Sequence, residues 1–222
     1  MIYQIYVDDN ELKYSDPSFT KIKNTAENRE LYGEIAQYQN ILDDAKKNNY
    51  KNIGIYQARR HLSYKEDKPL LEANIPEKLF EEYKVFHTYY FVNGSNYLLW
   101  INSHRLVAAL LESTVNLVCK LYPEYTRTCE IFLNGNLLFP HNMFIMSTAE
   151  FEKYYNWLME IFRHIQFTDT GKIKKPYSLL AERLFTIWCL QNYSNKEQVF
   201  INAVAYDKND GRMIDNVHAV VD

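Results

Sequence analysis

NIGIYQARRHLSY, residues 52–64, governs how the rest of the chain is read. Asn52 to Gln57 has the short apolar run of a buried strand, and two arginines and a histidine follow almost at once. Upstream, Leu31, Ile35, Tyr38, Leu42 and Ala45 recur at helical spacing, which predicts one helix over residues 28–48. Before that helix, Ile2 to Val7 alternates as a first strand and Asp8-Asp9-Asn10 is its turn. The polar stretch around Pro17 reads as a loop. Strand, helix and strand with short connections predict a βαβ unit and a parallel sheet.

Downstream, residues 61–76 are charged and proline-bearing and read as a surface loop, while VFHTYYFV (85–92) reads as a strand. Helical patterning covers residues 103–121 and resumes after Pro123 to about Leu133. NMFIM (142–146) is a short apolar strand. Ser147-Thr148-Ala149-Glu150 has capping-box spacing and opens a helix with Phe151, Tyr154, Leu158, Ile161 and Ile165 on its inner face. The basic loop GKIKKP (171–176) leads to a helix over 178–192. Residues 199–205 are a last strand, followed by a turn at 207–211. With no internal repeat and no dividing linker, the chain reads as a single α/β domain, residues 1–222.

Composition narrows the function. The hydrophobic fraction is 47% and the charged fraction 24%, values of a globular protein rather than a disordered one. A net charge of -3 argues against a nucleic-acid partner. Only six glycines are present, and no G-x-S-x-G, Walker or dinucleotide fingerprint occurs; these absences count against esterases, nucleoside triphosphatases and dehydrogenases. Cys119, Cys129 and Cys189 are odd in number and far apart, as expected of reduced thiols in a cytoplasmic protein. The start MIYQIYVDD lacks the features of a leader, and the run Leu106 to Leu111 is too short to cross a bilayer.

Candidate chemistry gathers at a few places. Arg59 and Arg60 stand at a strand's carboxyl end, where open α/β sheets collect ligands; guanidinium groups there grip a diphosphate, or else lie on the surface. Lys172, Lys174 and Lys175 precede a helix N-terminus, which favours anions, although a lysine-rich loop is also an ordinary solvated loop. Glu182, beside Arg183, is suited to accept a proton or to complement its helix dipole, and Glu34 poses the same choice. The six histidines show no metal-ligand spacing, His141 being the one nearest a strand end. Asp8-Asp9 and Asp43-Asp44 read as a turn and a helix surface.

Three segments together carry a resemblance: GEIAQYQNIL (33–42) with NIGIYQARRHL (52–62); LYPEY (121–125) with FLNGNLLFPHNMFIMSTAEFEKYYNWLMEIF (132–162); and SLLAERLFTIW (178–188). Their order resembles the capsular and exopolysaccharide biosynthesis family, long catalogued as a domain of unknown function, whose characterised members are galactofuranosyltransferases. Gly54, Arg59, Arg60, Glu34, Asn142-Met143-Phe144 and Glu182-Arg183 match that pattern; Gln57 and Ala58 replace a histidine and a tyrosine, and Val7-Asp8-Asp9 replaces a His-Lys.

The resemblance implies a GT-A-like, mostly parallel sheet flanked by helices. It implies a nucleotide-sugar donor of the uridine diphosphate class and a glycan or lipid-linked acceptor, with peripheral membrane association through partners. Arg59, Arg60, Gln57, Glu34, Asn142 and Arg183 then belong to the donor site and Glu182 to catalysis. No fixed cofactor is implied. A divalent metal is compatible with the class, but no Asp-x-Asp follows Tyr56, so the arginines, with Arg183 and the 172–175 lysines, would meet the leaving group's charge. Two other readings fit the departures: a relative that binds a sugar nucleotide without turnover, and an interaction subunit using aromatics of the 89–91 segment.

Overall fold

The computed structural model of the protein describes residues 1–65, 68–103, 105–165, 173–206 and 213–215. Its strands are β1 (Ile2–Tyr6), β2 (Thr20–Lys23), β3 (Asn52–Gln57), β4 (Arg60–Lys65), β5 (Lys68–Pro69), β6 (Val85–His87), β7 (Tyr90–Phe91), β8 (Leu137–Leu138), β9 (Phe144–Ser147), β10 (Gln198–Phe200), β11 (Ala203–Tyr206) and β12 (Met213–Asp215). The helices are α1 (Arg29–Tyr32), α2 (Tyr38–Lys47), α3 (Leu79–Glu82), α4 (Asn96–Ser103), α5 (Arg105–Leu121), α6 (Thr126–Asn134), α7 (Thr148–Arg163) and α8 (Pro176–Asn192).

Six strands form the main sheet in the order β10-β6-β9-β3-β1-β2. β9 runs antiparallel to both its neighbours, and the other five strands share one direction, so the sheet is mostly parallel. Both faces of this sheet are apolar, as buried parallel strands require. Tyr3, Ile5, Ile53, Ile55, Val85, Phe144 and Met146 pack on the helical side with Leu42, Leu158, Leu184 and Phe185. Ile2, Tyr56, Phe86 and Ile145 pack on the other side with Leu62, Leu70 and Ala203. Gly54 sits where neighbours meet: a Cβ there would overlap Ile2 Cδ1 and stand 2.9 Å from Ile145 Cγ1.

α7 begins where the capping spacing predicts, with Ser147 Oγ accepting from the Glu150 N–H at 3.2 Å. Several other expectations change. The helix expected over 28–48 is three pieces: α1, a 3-10 turn at Gly33–Gln37, and α2. Gly33 causes the break. It has φ +56°, and a Cβ there would lie 2.8 Å from Ser178 Cβ, so the chain must open to let α8 approach.

The expected polar loop after β1 holds a 3-10 helix at Asp9–Tyr14, capped by Asp8 and Glu11, and then the edge strand β2. β2 is held by backbone pairing to β1, and its side chains alternate between half-buried and exposed, which leaves little apolar signal. The loop expected over 61–76 contains β4 and β5, which join β11 and β12 in a second sheet, order β12-β11-β4-β5. The strands expected at 85–92 and 199–205 are each two short strands in different sheets. The turn expected at 207–211, His104, His218 and Lys172 lie outside the described residues.

Candidate active site

Eleven of the seventeen residues of α8 are buried, so its polar side chains need partners inside the protein. Those partners define a cleft of about 290 Å³ at the carboxyl ends of β1 and β3. Tyr6 and Val7 line it from the end of β1, Gln57 from β3, Ala58 and Arg59 from the turn after it, and Arg60 from the start of β4. Glu34 lines it from the 3-10 turn, Lys175 from the N-cap of α8, and Ser178 and Glu182 from α8 itself. Arg59 is held in the left-handed region at φ 62°, a conformation that costs on the order of 1–3 kcal/mol for a non-glycine residue. Tyr206 pins it: its N–H donates to the Arg59 carbonyl, and Arg59 Nη1 donates to the Tyr206 carbonyl, both at 2.9 Å. Arg59 Nε also stands 4.0 Å from Glu11 Oε1.

Arg60 is half-buried and donates from Nη1 to Gln57 Oε1 at 3.0 Å. Burial lowers its guanidinium from the ordinary arginine value, Glu182 and Glu34 oppose that, and Arg59 adds to it. Both arginines line the cleft, and the Arg59 side chain is 28% exposed. Lys175 brings a third cation to the rim and, like Arg59, has positive φ, at 53°. Lys174 is exposed and does not line the cleft.

The two carboxylates of the site differ in kind. Glu34 is bound by neutral donors: Gln57 Nε2 at 2.8 Å and Asn142 Nδ2 at 2.9 Å on one oxygen, Ser178 Oγ at 2.8 Å on the other. Glu182 takes the His141 N–H at 3.0 Å on one oxygen and Arg183 Nη1 on the other. Burial raises the Glu182 carboxyl above the usual range. Arg183 opposes that, Glu34 adds to it, and the His141 N–H and Arg60 oppose it further.

His141 and Asn142 carry consecutive positive φ values, 74° and 50°, and this strained corner is what aims the His141 N–H at Glu182. The His141 imidazole is pulled down to about 3, first by burial and then by Arg60 and Arg183. Asn142 is fully buried and supports Glu34 from beneath rather than lining the cleft. Arg183 likewise does not line it; its Nη1 also donates to the Leu179 carbonyl at 3.3 Å.

Asn24, Ser178 and Glu11 are site residues that the sequence reading did not single out. Ser178 and Glu182 are one helical turn apart on one face, a spacing that could have linked them. Asn24 carries no such signal: it is buried at 2% exposure, donates to the Gly33 carbonyl at 2.7 Å and accepts from Gln37 at 3.0 Å. Among the described residues, no group of three or more His, Cys, Asp or Glu side chains is placed to hold a metal ion. No described helix is long and apolar enough to cross a membrane.

The fold of this mostly parallel sheet and its helices is similar to that of a known glycosyltransferase structure. The chain is similar to a solved structure described as "WbbM bifunctional glycosytransferase apo structure", with TM-score 0.66 and 19% identity over 91% of this chain and 44% of that one. It therefore spans less than half the length of that protein. The family model described as "Domain of unknown function (DUF4422)" matches residues 16–193, and the chain belongs to that family. No curated protein matches it.

Proposed function

We propose that the protein is a glycosyltransferase that moves a sugar from a nucleoside diphosphate donor to a glycan or lipid-linked glycan in surface polysaccharide synthesis. The observation that carries this reading is the convergence of Arg59, Arg60 and Lys175 on the cleft that also holds Glu182. The likeness of the fold to a glycosyltransferase supports it. A uridine diphosphate sugar is the proposed donor, galactofuranose the proposed sugar, and the cytoplasm the proposed setting.

In the proposed reaction the acceptor hydroxyl oxygen attacks the anomeric carbon and forms the new glycosidic bond. The bond from that carbon to the diphosphate oxygen breaks, and its electron pair leaves with the nucleoside diphosphate. Arg59 and Arg60 meet the charge that develops there, assisted by Lys175 at the N-terminus of α8. Glu182 accepts the hydroxyl proton; its raised pKa makes it a stronger base than an ordinary glutamate. Glu34 holds Gln57, Asn142 and Ser178 in register beneath the donor. Incubating purified protein with uridine diphosphate sugars and a galactose-terminated oligosaccharide should release uridine diphosphate. Binding without release would instead assign the chain to a sugar-nucleotide receptor, and neither binding nor release with any donor would refute the proposal.

A further inference from the structure

The half of the sheet edge away from the arginines carries a different surface. Because β9 is antiparallel to β3 and to β6, and β10 is parallel to β6, the carboxyl ends of β3, β6 and β10 all open on one edge. Ile55, Phe144, His87 and Phe200 form one cross-strand row. Two residues beyond that row come Gln57, Asn142 and Tyr89. β6 lies two strands from β3, about 10 Å at the ~4.8 Å strand spacing.

At that place Tyr89, Phe91 and Phe200 are 42%, 59% and 40% exposed and touch one another, with Tyr89 centred 5.6 Å from Phe91 and 5.0 Å from Phe200. Phe200 rests edge-on against buried His87 at 5.1 Å, and His87 packs on Phe139 at 4.0 Å. Tyr90 between them turns inward, where burial raises its phenol, Arg183 opposes that and Glu182 adds to it. The ladder from β7 to β8 then leads within three residues to His141, whose N–H holds Glu182. The aromatic shelf and the cleft thus stand on the same edge of the sheet, and Tyr90, between Tyr89 and Phe91, feels the charges of Arg183 and Glu182.

Resting on the reading of the cleft as a glycosyl donor site, we propose that Tyr89, Phe91 and Phe200 bind the acceptor glycan by stacking on the apolar face of a neutral sugar ring. The shelf is apolar and uncharged, so it suits the carbon-hydrogen face of a saccharide and not the diphosphate, which belongs with Arg59 and Arg60. A large exposed aromatic patch on a soluble surface marks a binding site. The backing of Phe200 by buried His87 reduces the ordering cost of that ring on binding.

The test uses the Tyr89→Ala/Phe91→Ala double variant and three readouts. Saturation-transfer NMR with a set of soluble hexose-terminated oligosaccharides reads glycan contact without turnover. Initial rates read the acceptor KM, and uridine diphosphate titration reads the donor site. The expected result is saturation of sugar-ring protons by the wild type, lost in the variant. Acceptor KM should rise about tenfold, equivalent to about 1.4 kcal/mol, with uridine diphosphate affinity unchanged. Unchanged KM and unchanged ring saturation would overturn the proposal, as would a wild type that saturates no sugar. Conversion of a wild-type dimer to a monomer in the variant, with glycan contact intact, would overturn it too and make the patch a protein interface. Glycan contact in a protein that releases no uridine diphosphate would refute the transferase reading and leave the shelf standing.

Discussion

The two halves of the sheet's carboxyl edge solve opposite problems. Over β1 and β3, charged and amide groups from residues far apart in the chain are drawn together, and much of their hydrogen-bonding capacity is used internally. Glu34 alone accepts from Gln57, Asn142 and Ser178, and Glu182 is held by a peptide N–H and a guanidinium. Over β6 and β10, aromatic rings are left 40–59% exposed, and the Tyr89 hydroxyl is the one polar side-chain group among Tyr89, Phe91 and Phe200. Satisfied polar networks fix geometry, and that suits a group that must be positioned for chemistry. Exposed rigid rings bind through area and tolerate variation in what they hold. In the proposed reaction the polar half takes the donor and the chemical step, and the aromatic half takes the acceptor.

The largest expected effect separates the two halves by chemistry. Glu182→Gln keeps the shape of the side chain but cannot accept a proton, so kcat should fall by about 10²–10⁴-fold. Uridine diphosphate affinity, measured by calorimetry, should stay near the wild-type value. Equal losses in binding and in rate would mean that Glu182 holds the donor instead.

Glu34→Ala addresses the framework of the polar half. It leaves Gln57 Nε2 and Ser178 Oγ without their carboxylate partner, at about 1–3 kcal/mol of stability. A thermal scan should show the midpoint falling roughly 2–4 °C for each kcal/mol. A variant as stable as the wild type would show the network to be expendable.

The smallest effect is a shift in pH dependence. In the proposed role Glu182 must be ionised to take a proton, so the rate should fall as pH drops through its raised pKa. The acid limb of kcat/KM therefore lies above the ordinary glutamate value of 4.5. Arg183 holds that pKa down, so Arg183→Gln should move the limb further upward. A limb that stays in place would detach it from Glu182.

Much of the polar half was legible as residue types and little of it as contacts. Arg59 and Arg60 follow a strand that the apolar run of 52–57 marks plainly, and α7 begins at its capping serine. Glu34 and Glu182 stand out as carboxylates among apolar helical positions. Their partners do not, because Asn142 lies 108 residues from Glu34, and Ser178 lies 144 residues from it. Such pairs are set by how the sheet brings strand ends to α8. The break at Gly33 was hidden for a similar reason: the apolar spacing of 31, 35, 38 and 42 continues through it, and only the approach of Ser178 demands it. The aromatic segment at 89–91 was visible as composition, but its place on the same sheet edge as the cleft depends on strand order.

The account is tested most directly by titrating uridine diphosphate and uridine into the wild type and an Arg59→Ala/Arg60→Ala variant. Charged hydrogen bonds of about 1.5–3 kcal/mol each predict a loss of at least tenfold in diphosphate affinity, with uridine binding little changed. Diphosphate affinity equal in the two proteins would contradict the assignment of the cleft.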